Sequence, residues 1–256
     1  MRTTAIVNSK GGTTKTTTAV NLAAAAALAG YRVLLIDHDK QGSATQWLDQ
    51  SPDTDALLDA LLGNASLDDL AVPTSVPNLE LVPASAALGQ VGRLQTEIGH
   101  QFFLRDSLAK TAPRDWVFID SPGDLGVATI MALTAATEVL IPVPAGSMEL
   151  DELPKVLETI DTVRTRLNAE LTLAGVLLTK YKTVGRHARV LSRDVSAELR
   201  RELPEHVLNT VVREDDRHGE APAWRKPMAQ FDPDGRGDQD YRAVLDELLG
   251  RETVNV

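Results

Sequence analysis

Residues 9 to 17 read Ser9-Lys10-Gly11-Gly12-Thr13-Thr14-Lys15-Thr16-Thr17. Before them runs a short β-branched and apolar segment, Thr3–Asn8, and after them a helical stretch, Thr16–Ala29, with an almost all-alanine face. The order is strand, glycine turn, helix N-terminus. Gly11 and Gly12 let the backbone bend sharply and turn N–H groups toward an anion. The helix start near Thr16 adds the positive end of its dipole. Lys15 is then placed to reach the outer phosphates of a nucleotide, and the Thr16 hydroxyl to bind Mg²⁺. Ala23–Ala27 allow the helix to sit close to a sheet. A plainer reading of the same residues is a polar turn that caps a helix.

The general phosphate-loop spacing G-x-x-x-x-G-K-[ST] is not met, because its two glycine positions hold Ser9 and Thr14. If position 14 requires a positive φ or a close approach to phosphate, a β-branched residue there is strained.

Outward from the loop, short β-branched runs alternate with longer helical patterns. Strands are predicted at Thr3–Asn8, Arg32–Asp37, Leu79–Pro83, Trp116–Asp120, Glu138–Val143, Leu173–Thr179 and Val207–Val212. Several are apolar almost throughout, as strands covered on both faces are. Helices are predicted at Thr16–Ala29, Thr54–Leu62, Leu88–Ala109, Gly126–Ala136, Leu150–Leu167, Ala188–Leu203 and Asp238–Leu249. The alternation implies an α/β fold: a mostly parallel, twisted sheet of about seven or eight strands with helices on both faces. Gly63–Pro77 and Ala221–Gly237, rich in Pro, Gly and Asp, read as the loosest segments. Residues 1–256 are expected to form one domain.

Three further segments stand beside the loop. The second predicted strand ends Leu34-Leu35-Ile36-Asp37-His38-Asp39-Lys40-Gln41-Gly42-Ser43-Ala44-Thr45. Carboxylates at i and i+2 after an apolar strand can both face the phosphate end of the sheet; the plainer reading is that they cap a loop. The fourth strand ends Phe118-Ile119-Asp120-Ser121-Pro122-Gly123-Asp124-Leu125-Gly126. Near the C-terminus come Val212-Arg213-Glu214-Asp215, Gly219-Glu220-Ala221-Pro222 and Lys226-Pro227.

Together these segments resemble the ParA/MinD group of deviant Walker A ATPases, whose fold is that of a P-loop NTPase. The loop is similar to K-G-G-x-G-K-T, with Lys10 in the place of the signature lysine and Thr14 where the group usually has Gly. The second segment resembles L-L-I-D-x-D-P-Q-G-N-A-T, with Lys40 for Pro and Ser43 for Asn. The third resembles the Walker B and switch stretch D-T-P-P-x-L-G, with Gly123 for the second Pro, and the last resembles I-R-E-N … x-E-A-P … K-P. The similarity runs from Thr3 to about Tyr241.

The resemblance implies binding and hydrolysis of ATP with Mg²⁺. Gly11, Gly12, Thr13, Thr14, Lys15, Thr16 and Thr17 would cradle the nucleotide, and Asp215 and Pro222 would border the base, with Asp215 standing where Asn is usual. Thr16, Asp37 and Asp120 would serve the metal, the two carboxylates through its waters. Asp39 would position the attacking water, and Lys10 would reach the phosphates of a partner subunit. Gly123 is expected to loosen the switch, since Gly does not restrict the backbone as Pro does.

Composition bounds the rest. The chain has 256 residues, 43% hydrophobic and 24% charged, enough for one large α/β domain. It contains no Cys, which excludes disulfides, thiolate chemistry and cysteine-ligated clusters, and so separates it from nitrogenase iron-protein relatives. No signal-peptide core is expected: the apolar run Ala5-Ile6-Val7 ends too early. No membrane partner is expected either, since Leu22 to Ala29 falls short of the about 20 residues that span a bilayer, and Asp240, Asp246, Glu247 and Glu252 make the C-terminal helix acidic.

The net charge of −10 argues against nucleic acid over the whole surface. It is unevenly spread: Lys180 to Lys226 holds 11 basic against 8 acidic residues. The resemblance points to non-specific double-stranded DNA contact at Arg217, and more loosely at Arg186, Arg189 and Arg193; the plainer reading is a solvated helix face.

The implied function is a ParA-type partition ATPase: a homodimer formed on ATP binding holds DNA, and hydrolysis stimulated by a ParB-like adaptor releases it. The expected location is cytoplasmic and nucleoid-associated. Two alternatives share every motif: a ParA-like positioning ATPase for a non-DNA cargo, and a nucleotide-binding scaffold whose hydrolysis is weakened by Thr14.

Overall fold

The computed structural model describes residues 1–51, 56–85, 87–88, 97–146 and 152–251, apart from the side chains of Arg186, Ala188 and Arg189. Among the described residues eight strands form one sheet: β1 (Arg2–Ile6), β2 (Val33–Asp37), β3 (Val72–Pro73), β4 (Leu79–Val82), β5 (Trp116–Asp120), β6 (Glu138–Pro144), β7 (Thr172–Tyr181) and β8 (Val207–Arg213). Their spatial order is β3-β4-β2-β5-β1-β6-β7-β8. Every neighbouring pair is parallel except β3 and β4. The expected mostly parallel sheet is present, in a P-loop NTPase-like arrangement.

Side-chain alternation along the strands feeds two cores. Ala5, Leu34, Ile36, Val117 and Ile119 face one of them, filled by α3 (Ala56–Leu61), α4 (Leu67–Leu70), α5 (Phe103–Leu108), α6 (Val127–Ala135), α7 (Leu153–Arg166) and α8 (Arg186–Glu202). Ile6, Val33, Leu35, Trp116 and Phe118 face the other, filled by α1 (Lys15–Leu28), α2 (Ser43–Trp47), α10 (Met228–Phe231) and α11 (Arg236–Gly250). The period of two explains why these strands are apolar throughout: both faces are covered. A short helix, α9 (Arg217–Glu220), follows β8.

Helix α1 is buried along nearly its whole length, from Thr18 to Ala27. Its alanines let it lie between the sheet and α11, where the Tyr241 hydroxyl comes within 3.4 Å of Thr18 Oγ1. It ends where Gly30 takes φ 98°, with Tyr31 N donating to the Ala26 carbonyl at 3.2 Å and Gly30 N to that of Ala27 at 3.0 Å.

Three expectations change. Gly63–Pro77 is not without structure, because it holds α4, capped by the Ser66 side chain, and the edge strand β3. Ala221–Gly237 holds a 3-10 turn at Ala221–Trp224 and then α10. The helix predicted at Leu88–Ala109 is reduced among the described residues to Phe103–Leu108 and a 3-10 turn before it, because Gly99 sits at φ 78° and breaks the repeat. Residues 89–96 of that span, with residues 54–55 and 150–151 of two other predicted helices, lie outside the described residues.

Candidate functional site

All the parallel strands end on the same edge of the sheet, and β1 lies in its middle, between β5 and β6. Ligands of open α/β sheets bind outside such carboxyl ends. The loop after β1, the Asp37 end of β2, the Asp120 end of β5, the last residues of β7 and the turn after β8 all meet there.

The loop after β1 bends through two left-handed residues, Gly12 at φ 76° and Thr14 at φ 64°. Thr14 stands at the N-cap of α1 without capping it. Its Oγ1 is 2.5 Å from the Thr13 carbonyl, to which it donates, and 2.8 Å from Thr179 Oγ1. Position 14 does require a positive φ, and a β-branched residue held there costs on the order of 1–3 kcal/mol. Lys15 is buried and folds back over the loop. Its Nζ donates to the Lys10 carbonyl at 2.8 Å and lies 3.4 Å from Thr13 Oγ1. Burial pushes the Lys15 ammonium below its ordinary value, and the charges of Asp120, Asp39 and Asp124 oppose that shift.

Beneath the loop lie Asp37 and Asp120. Oδ2 of Asp37 accepts from Thr45 N at 2.8 Å and Thr45 Oγ1 at 2.7 Å, and Oδ1 accepts from Asp39 N at 3.3 Å. Burial raises this carboxyl to about 6 against those hydrogen bonds. Both oxygens of Asp120 are buried and accept no hydrogen bond among the described residues. Burial pushes Asp120 well above the usual carboxylate range and the charge of Asp37 adds to it, while the Thr16 hydroxyl and Lys15 pull the other way. His38, next after Asp37 in the chain, is fully buried and driven down to about 4 by that burial, so it adds no charge near neutral pH.

Uncommitted, desolvated carboxylate oxygens beside a threonine hydroxyl are a donor set that fits a small hard cation. Among the described residues no cluster of three acids or histidines could hold a metal by itself. Such a cation would therefore rest on Thr16, on water, and on oxygens of a bound phosphate, which is the usual habit of Mg²⁺.

A cavity of about 810 Å³ opens above. Gly11, Gly12, Thr13, Thr14, Lys15, Thr16, Thr17 and Asp39 line one part, and Asp215 and Pro222 line another. The volume and the inward loop suit a phosphorylated ligand of nucleotide size. Asp39 Oδ1 accepts from Gln41 N at 3.0 Å. Gly123 also lines the cavity and backs directly on the loop: a Cβ there would lie 3.1 Å from Gly11 N. Asp124 holds the turn into α6, its Oδ1 accepting from Gly126 N at 2.8 Å.

The basic segment is more engaged than its composition suggests. Arg217, at the start of α9, pairs with Asp232 at 3.0 Å, lies 5.3 Å from the centre of the Phe231 ring and is 45% exposed. Arg193 on α8 is 74% exposed and 3.7 Å from Asp194. The side chains of Arg186 and Arg189 lie outside the described residues. Elsewhere Arg213 pairs with Asp240 at 2.7 Å, Arg200 donates to the Leu208 carbonyl at 2.6 Å, and Arg225 pairs with Asp49.

Sequence reasoning missed Thr179 and Lys180, which line the cavity from the end of β7, and His218, whose ring meets Tyr241 edge-on at 6.0 Å on its far side. The signal for the first two was their position at the end of a parallel strand. No local pattern marks His218.

A family profile described as an AAA domain matches residues 1–173. The chromosome partitioning protein ParA of Caulobacter vibrioides is 37% identical, over 98% of this chain and 95% of its own. The sporulation initiation inhibitor protein Soj of Bacillus subtilis is 37% identical, over 95% of this chain and 96% of its own. Among solved structures, cobyrinic acid a,c-diamide synthase from Mycobacterium smegmatis with bound ATP analog and magnesium is similar at 31% identity and a TM-score of 0.84. That likeness covers 100% of this chain and 99% of the other.

Proposed function

Because the chain belongs to the ParA/MinD-type P-loop ATPases, we propose that it is a partition ATPase that binds ATP with Mg²⁺ in the cleft above Asp120. The ATP-bound chain pairs with a second copy, holds double-stranded DNA without sequence preference, and releases it when a ParB-like adaptor stimulates hydrolysis. The observation that carries this reading is the buried, unpartnered Asp120 carboxylate beside Lys15, under a left-handed loop that lines an 810 Å³ cavity.

Inward-facing backbone N–H groups of Gly11 to Thr16 bind phosphate oxygens. Lys15, an ammonium already partly stripped of water, serves the outer phosphates. Thr16 would hold the cation directly and Asp120 through its water, while Asp37 keeps its hold on α2 and supports the same region. When bound, Mg²⁺ neutralises charge on the phosphate oxygens. Asp39 orients water, and Lys10 serves the partner's phosphates much as an arginine finger does. Asp215 and Pro222 border the base. Arg217, with Arg186, Arg189 and Arg193, supplies the DNA contact. No described helix is long and apolar enough to cross a membrane, and the working location is the cytoplasmic nucleoid.

A second reading rests on the pairing of the basic segment. With Arg217 on Asp232 and Arg213 on Asp240, less positive charge is available for phosphate than the composition promises. That favours a positioning ATPase for a non-DNA cargo. Thr14 at φ 64° favours its variant, a scaffold that binds but turns over slowly.

The deciding experiment measures ATP binding and hydrolysis with and without DNA at two salt concentrations. No ATP binding at millimolar Mg²⁺ would overturn the nucleotide reading. Salt-sensitive DNA retention that requires ATP supports partition. Turnover indifferent to DNA and to any adaptor would favour a small-molecule enzyme like the diamide synthase.

A further inference from the structure

Thr179 and Lys180, at the carboxyl end of β7, take no part in the roles assigned so far. Thr179 Oγ1 lies 2.8 Å from Thr14 Oγ1, and Lys180 Nζ donates to the Gly12 carbonyl at 3.1 Å. Those two targets are the left-handed residues of the loop, at φ 64° and φ 76°. Lys180 is itself left-handed, at φ 48°, and both residues line the cavity.

We propose that Thr179 and Lys180 brace the phosphate loop from outside, with Lys180 a positioning residue for nucleotide binding; this rests on the nucleotide reading above. A loop that turns its N–H groups inward to an anion leaves carbonyls that need donors elsewhere. An ammonium on the Gly12 carbonyl meets that need with a charge-assisted bond. Thr14 needs more. A β-branched residue persists in the left-handed region only where its surroundings over-determine it, and the Thr179 contact, one residue along the strand from Lys180, fixes it directly.

The brace also outlasts ligand binding. Lys15 Nζ donates to the Lys10 carbonyl at 2.8 Å. Once Lys15 turns to phosphate, that carbonyl keeps Thr13 Oγ1, at 2.9 Å, as its donor. Lys180 reaches the loop from a different strand and need not move. The same strand end holds the far side of the cavity, because Glu214 N donates to the Tyr181 carbonyl at 2.9 Å.

The test measures Mg²⁺–ATP and Mg²⁺–ADP affinity of the full chain by calorimetry, with melting of the nucleotide-free protein as a control for folding. Lys180→Met should weaken both nucleotides on the order of tenfold, and Lys180→Arg should recover most of that loss. In a Thr14→Gly background the left-handed position no longer needs its Thr179 contact, so Thr179→Val, which should cost about threefold to tenfold in the native chain, should there cost less than about twofold. The same factor for Thr179→Val in both backgrounds overturns the brace, and so does a Lys180→Met loss clearly larger for ATP than for ADP, which marks simple attraction to the phosphates. So does a Lys180→Met chain that binds like wild type. A wild-type chain that binds no ATP overturns the nucleotide reading, and the brace with it.

Discussion

Asp37 and Asp120 are register partners on adjacent parallel strands, both fully buried at the edge where the loop after β1 begins its turn. Asp37 spends one oxygen on the start of α2 through Thr45. Among the described residues Asp120 spends neither. A fold that buries a carboxylate without a partner sacrifices stability for a site.

That sacrifice has a definite pH dependence. Both carboxyls are raised above their ordinary value of 3.8, Asp37 to about 6 and Asp120 well above the usual range by its burial. Their contribution to stability is therefore full below pH 3.8 and lost as pH rises through the raised values, about 6 for Asp37. In EDTA and without nucleotide, Asp120→Asn should melt higher than wild type at pH 8, and the gain should shrink toward pH 4. With Mg²⁺–ATP the order should reverse, since the variant loses the cation. Equal melting curves from pH 4 to 8 would remove the carboxylate pair from the site.

Lys10 offers its carbonyl to Lys15 and Thr13 within its own chain, and those backbone contacts remain when the side chain is cut. Lys10→Ala should leave ATP affinity within about threefold while lowering adaptor-stimulated hydrolysis on the order of a hundredfold or more. Unchanged stimulated turnover would take Lys10 out of catalysis.

Gly123 touches the loop at Gly11 through space that a methyl group would contest at 3.1 Å. Gly123→Ala should weaken nucleotide binding by about threefold to tenfold with little change in the melting temperature of the nucleotide-free chain. A variant with wild-type affinity would remove Gly123 as a contact surface for the loop.

Arg217 is shared between Asp232, Phe231 and solvent. Arg217→Ala should weaken DNA retention and lower the salt slope by about one unit. Asp232→Asn should act oppositely and strengthen retention at moderate salt by freeing the guanidinium. DNA binding that ignores both substitutions would move the contact elsewhere on the surface.

The amino-acid sequence by itself determined the alternation of strands and helices, the glycine loop, the two acidic strand ends and the absence of cysteine chemistry. These are local properties, carried by spacing within about a dozen residues. It also marked Thr14 as the awkward residue, and the loop geometry agrees. Only the tertiary structure decided which polar groups are spoken for. Lys180 and Gly12 lie 168 positions apart, and Arg225 and Asp49 lie 176 apart. Whether such pairs meet depends on the order of strands in the sheet, which no local pattern encodes. The count of basic residues between Lys180 and Lys226 was therefore correct as chemistry and incomplete as a surface, because folding had already assigned several of those charges to partners within the chain.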